Sequence, residues 1–88
     1  MVDAAHTEEV DAVLATLGGL IEQITDVAAT QITSETRFDS FSDWTSHSAL
    51  RLMVAIEGEF TVRLDLREYL EVQQLGQLAE LVSSAREG

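Results

Sequence analysis

The 88-residue chain has no cysteine, no proline and no lysine. Without cysteine, neither a disulfide staple nor a thiolate zinc site is available. The two histidines, His6 and His47, are too far apart to supply a metal-ligand pair, so no metal site is expected. Without lysine, every positive side chain is an arginine, and five of them face sixteen carboxylates for a formal charge of −11. That balance argues against nucleic acid and anionic membranes, where each phosphate contact wants a cation. It favours solubility and rapid encounter with basic partner surfaces. No apolar run approaches transmembrane length. The start, MVDAAHTEEV, lacks the basic and then apolar regions of a signal peptide, so a cytoplasmic location is expected.

What is present is apolar packing material: 45% of the residues are hydrophobic. A chain this short forms one domain and buries roughly 60–65% of the surface its unfolded form exposes. The domain is expected to span residues 1–88 with a core from about 7 to 84, as a free-standing monomer rather than a piece of a larger synthase. From Thr7, apolar residues fall at Val10, Val13, Leu14, Leu17, Leu20, Ile21 and Ile24. This three/four spacing predicts an amphipathic helix capped by Thr7 and ending near Asp26, with Gly18 and Gly19 on its polar face.

Residues 27 to 45 lack a helical period and are rich in Thr, Ser and Asp. A connection this long in a small domain is often functional. Val27, Ile32, Phe38 and Phe41 are its expected anchors. Helical phasing returns at Ser46, with Leu50, Met53 and Ile56 as one stripe and Leu52 and Phe60 flanking it. LDLREYLEV has room for a turn or two of helix, and Leu75, Leu78, Ala79 and Val82 mark a closing helix. The expected fold is all-α: a four-helix bundle of three principal helices and one short one, with a long loop after the first.

The stretch FDSFSDWTSHSAL, residues 38 to 50, places four serines within nine residues. From Ser46, offsets of four, six, seven, eight, ten and fourteen reach Leu50, Leu52, Met53, Val54, Ile56 and Phe60, all apolar. The same offsets from Ser40 reach Ser46, His47 and Ser48; those from Ser48 reach Gly58 and Val62; Ser42 reaches Ser46 and Ser48. This register from Ser46 resembles the phosphopantetheine-dependent acyl and peptidyl carrier proteins, in which a serine opens the second helix. ITSETRF, with Phe38 eight residues before Ser46, resembles the family's loop signature. RLMVAIEGEF resembles the acyl-carrier helix, and VRLDLREYLEVQQLGQLAELV is similar to peptidyl carriers. The likeness covers about residues 8 to 84 without a gap.

The resemblance implies a carrier that catalyses nothing itself. A phosphopantetheinyl transferase would attach 4′-phosphopantetheine from coenzyme A to Ser46 as a phosphodiester. An acyl- or aminoacyl-activating ligase would load the arm's thiol as a thioester. Downstream synthase, condensation or thioesterase enzymes would take up the cargo. Polyketide or nonribosomal peptide assembly is favoured over fatty-acid synthesis, because the pattern mixes acyl and peptidyl features and Arg51 stands where fatty-acid carriers are usually acidic. Three positions depart from the family's usual residues: Thr45 for Asp or His, His47 for Leu, and Asp43 for Gly. They bear on the partners, with Trp44, Thr45, His47, Arg51 and Val54 as candidate docking residues, and they leave the Ser46 hydroxyl intact. They also keep open a carrier-like module that docks but is never modified. A hydrolase built on Ser46 lacks a base, because adjacent helical residues such as His47 do not face one another. The acidic cluster Glu57, Glu59, Asp65, Glu68 and Glu71 reads as solvated surface without the spacing of a calcium loop.

Overall fold

A computed structural model describes residues 2–42 and 44–87, with the backbone alone for 2–7 and 87. The described residues form four α-helices and two short 3-10 turns, without a strand. Helix α1 spans Val2–Thr25, α2 Ser46–Phe60, α3 Leu66–Glu71 and α4 Leu75–Glu87. The 3-10 turns, Ala29–Gln31 and Phe38–Ser40, lie within the long connection between α1 and α2. The all-α arrangement of three long helices and one short helix is therefore as expected.

The first helix is longer than its apolar spacing indicates, being helical already at Val2. Thr7 therefore lies inside α1 and not at its start, which corrects the expected cap. The C-terminal end agrees with the sequence: Asp26 adopts a left-handed φ of 66° and its N–H donates to the Glu22 carbonyl at 3.0 Å. Asp tolerates that region better than most side chains, so the helix stops there.

The core is built where α1 packs against both α2 and α4. Val13, Leu17 and Ile21 from α1, Leu52 and Ile56 from α2, and Leu75, Leu78, Ala79 and Val82 from α4 are almost wholly buried. Two sequence expectations are corrected here. Gly18 is buried rather than on a polar face, and its Cα packs towards Ala29 of the first 3-10 turn. In α2 the buried stripe is Leu52 and Ile56 with Ala49, Met53 and Phe60 packed beside it, whereas Leu50 is 48% exposed. The reason is rotational phase. At 100° per residue, Leu50 falls about 160° from Leu52, so both cannot face α1.

The long loop is pinned at several points. Phe41 is its buried anchor, while Val27, Ile32 and Phe38 pack against the core while partly exposed. Across the loop, Phe38 N–H donates to the Gln73 carbonyl at 3.1 Å, and Leu75 N–H to the Thr36 carbonyl at 2.9 Å. Gly76 N–H donates to the Ser34 carbonyl at 2.7 Å, and a Cβ on Gly76 would lie 2.9 Å from that same oxygen. Only glycine allows the loop to approach the start of α4 so closely.

Candidate functional site

Helix α2 begins at a well-made cap. Thr45, extended at φ −128° and ψ 175°, accepts a hydrogen bond from the Ser48 N–H on its side-chain oxygen at 3.2 Å. Ala49 N–H makes the first helical bond, to the Thr45 carbonyl at 3.0 Å. The N–H groups of Ser46 and His47 therefore precede any available helical carbonyl, at the positively polarised end of the helix. Ser46 is the first helical residue, exposed, and its hydroxyl makes no hydrogen bond to a described residue. The capping role open to Ser46 by its position is taken by Thr45.

The other serines are placed differently. Ser40 donates its hydroxyl to the Arg37 carbonyl at 2.6 Å, and Ser48 shares a 3.3 Å contact with the Thr45 hydroxyl. Asp39, beside Ser40, receives two bonds from the Arg37 guanidinium at 3.2 Å. This hydrogen bonding holds the Asp39 carboxyl below the usual range and raises the Arg37 guanidinium. The Asp-Ser-Phe triplet is thus a locally bonded turn.

Ser46 stands at the lip of a cavity of about 420 Å³. Its walls come from the loop (Phe38, Trp44), from α2 (Ala49) and from α3 with its following residue (Tyr69, Leu70, Val72). Among the described residues, no charged side chain lines it. Trp44 stacks on Phe38 with ring centroids 5.2 Å apart and lies 5.6 Å from Phe41. It thereby packs the end of the loop and forms one wall at the same time. Across the opening, the Tyr69 hydroxyl donates to the Ala49 carbonyl. Tyr69 is nearly buried, and that burial raises its phenol above the ordinary value.

His47, Leu50, Arg51, Val54 and Ala55 lie elsewhere, together lining an open, shallow depression on the outward face of α2. Ser46 and His47, although adjacent, therefore serve different surfaces. Of the expected docking residues, Trp44 and Thr45 border the Ser46 cavity, whereas His47, Arg51 and Val54 form the outward face. Asp43 lies outside the described residues.

Sequence reasoning missed Tyr69 and Leu70 as parts of the site. Asp65 carried the available signal. It caps α3 by accepting the Glu68 N–H at 3.0 Å, and such a cap sets the phase of the short helix that follows. The acidic cluster is also not uniformly solvated: Glu57 is half-buried and accepts the Leu64 N–H at 2.9 Å, tying the end of α2 to the approach to α3.

Over residues 15–82 the chain matches the family of the phosphopantetheine attachment site, and it belongs to that family. No curated protein matches the chain. It is accordingly a carrier protein bearing 4′-phosphopantetheine as its prosthetic group. Such domains are generally non-catalytic and interact with phosphopantetheinyl transferases and synthase enzymes. Among the described residues, no helix is long and apolar enough to cross a membrane.

The residues at the start of α2 fit the group. An exposed hydroxyl that bonds to no described residue is a suitable acceptor for a phosphoryl linkage, and N–H groups at a helix start suit the resulting anion. The described residues lining the cavity beside it are uncharged, which suits an uncharged arm.

Proposed function

We propose that Ser46 is the residue that receives 4′-phosphopantetheine, and that residues 1–88 act as one free-standing carrier domain. The observation that carries this reading is the division of labour at the start of α2. Thr45 supplies the cap, so Ser46 projects a hydroxyl that bonds to no described residue at the mouth of the aromatic cavity.

Attachment requires little of the chain itself. The hydroxyl must reach a transferase, and its exposure permits that. No neighbouring base is needed, since the transferase supplies the catalysis. The Ser46 and His47 N–H groups would face the phosphodiester's negative charge, which a helix start favours. When bound, the group supplies a terminal thiol that carries an acyl or aminoacyl unit as a thioester. Phe38, Trp44, Tyr69 and Leu70 offer the adjoining arm an apolar wall, and the strongly acidic remainder of the surface keeps the loaded protein in solution.

The pathway proposed is polyketide or nonribosomal peptide assembly in the cytoplasm. A ligase loads the carrier, and condensation, synthase or thioesterase enzymes unload it. The mixture of acyl-carrier and peptidyl-carrier sequence features supports this choice, as does Arg51 on α2. Incubation with coenzyme A and a transferase of broad specificity, followed by intact-mass measurement, should show one added phosphopantetheine. Peptide mapping should assign it to Ser46. An unchanged mass would instead favour a carrier-like module that works by docking alone.

A further inference from the structure

Two cavities meet at the end of the long loop, and the same three side chains line both. The cavity beside Ser46 has Phe38, Trp44 and Val72 in its wall. A second cavity, of about 480 Å³, is lined by all three as well, together with Arg37, Asp39 and Gln73 among others. Phe38, Trp44 and Val72 therefore stand between the two spaces as a shared wall. Backbone hydrogen bonds hold each of them in place. Trp44 N–H donates to the Phe41 carbonyl at 3.2 Å, Phe38 N–H to the Gln73 carbonyl at 3.1 Å, and Val72 N–H to the Tyr69 carbonyl at 3.2 Å. The indole is fixed a second time by its stack on Phe38.

The two spaces differ in chemistry. The described lining beside Ser46 is uncharged. The second cavity carries the ion pair of Arg37 and Asp39, 3.2 Å apart, both exposed to water. An alkyl chain laid there would strip water from charged groups, which costs free energy that apolar contact does not return. Favourable burial of an apolar group attached at Ser46 therefore ends at the shared wall. Each cavity alone lies towards the low end of the volumes that hold small molecules, and opening the wall would roughly double the space.

We infer that Trp44 is a specificity-determining residue that stops cargo at this wall. The protein then shelters a short apolar acyl or aminoacyl unit and leaves the remainder of a longer chain in water. Phe38 is the seat of the indole, and Val72 completes the wall from the end of α3. A cargo returning to the cavity shares it with the arm, which shortens the unit that fits. The inference deepens the carrier reading by naming a class of cargo, and it rests on Ser46 as the point of attachment.

The test places acetyl, hexanoyl, decanoyl and tetradecanoyl arms on isotopically labelled protein, from the matching acyl-coenzyme A and a transferase of broad specificity. Intact mass verifies each attachment. Amide shifts at Ala49, Tyr69 and Leu70 should grow from acetyl to hexanoyl and then level off, with Arg37, Phe41 and Gln73 unmoved throughout. Emission from Trp44, the single tryptophan, should move to shorter wavelength over the same range and then stop. In Trp44→Ala the shifts should keep growing to tetradecanoyl and spread to Phe41 and Gln73. Trp44→Phe keeps a ring to stack on Phe38 and should restore the limit. If Trp44→Ala loosens the loop, seen as shifts in α1 and α4 before loading, Val72→Ala opens the same wall and takes its place. Three results would each overturn the inference: wild-type shifts that grow beyond hexanoyl, no response at Ala49, Tyr69 and Leu70, or a limit that survives opening of the wall. A protein that gains no mass refutes the Ser46 reading instead, so the two failures are distinct.

Discussion

The hydroxyl of Tyr69 donates a hydrogen bond to the carbonyl of Ala49, one turn into α2 from Ser46. Through this bond a six-residue helix is held against the helix that carries the site. The Ala49 carbonyl lies inside α2, so the phenol is a second donor to it rather than its only partner. The bond's contribution is therefore positional as well as energetic: it fixes α3 as a wall of the cavity.

Replacing Tyr69 with Phe should cost about 1 kcal/mol in urea unfolding, the usual net worth of one such bond. It should also increase hydrogen exchange through α3 more than through α1 or α4.

The same tyrosine gives a clean pH dependence. It is the only tyrosine, and the chain has no cysteine or lysine, so no other side chain is expected to lose a proton between about pH 9 and the arginine range. Burial raises its folded pKa above the ordinary value of 10.0. Ionisation therefore favours unfolding: the stabilisation is fully present below about pH 10 and is lost as pH rises towards the folded value. Tyrosinate absorbance should lag behind that of a free phenol until the fold gives way. Tyr69→Phe should remove this alkaline loss.

Ser46→Ala should abolish the mass gain with coenzyme A and transferase while changing stability by no more than about 0.5 kcal/mol, because the hydroxyl is exposed and bonds to no described residue. Ser40→Ala and Ser48→Ala should retain the mass gain. Modification of Ser46→Ala at the wild-type level would refute the assignment.

Thr45→Ala removes the side-chain acceptor for Ser48 N–H and should cost about 1 kcal/mol. Thr45→Asp should preserve the cap and place a negative charge at the favourable helix end, so its unfolding midpoint should be at least that of the wild type. Thermal and urea unfolding both check this.

Gly58 and Thr61 occupy each other's preferred settings. Gly58 lies inside α2, and a Cβ added there would meet nothing within 4 Å, so Gly58→Ala should stabilise by up to about 1 kcal/mol. Thr61, β-branched, holds a left-handed φ of 55° at the end of the same helix. Thr61→Gly should relieve that strain and stabilise by about 1 kcal/mol. Calorimetry of the two single variants and the double variant measures both effects and their additivity.

Much of the bundle was legible in the order of residues. The three/four spacing from Val10 to Ile24 located the first helix, the closing stripe of Leu75, Leu78, Ala79 and Val82 is buried as expected, and the offsets from Ser46 singled out one serine of four. Periodicity is a one-dimensional quantity, so a linear pattern suffices to fix it. It did not say which apolar face of α2 turns inward. Leu50 and Leu52 are equally hydrophobic, and only the position of α1 buries one and leaves the other in solvent.

Contacts between distant segments were likewise decided by tertiary packing. The sequence by itself determined that a serine opens α2 and that helices of these lengths follow it. The fold decided that Thr45 takes the cap, that Trp44 stacks on Phe38, and that Tyr69 reaches Ala49 twenty residues away. A hydroxyl's partner is set by which backbone arrives within about 3 Å of it. That distance exists only after the hydrophobic faces have chosen one another.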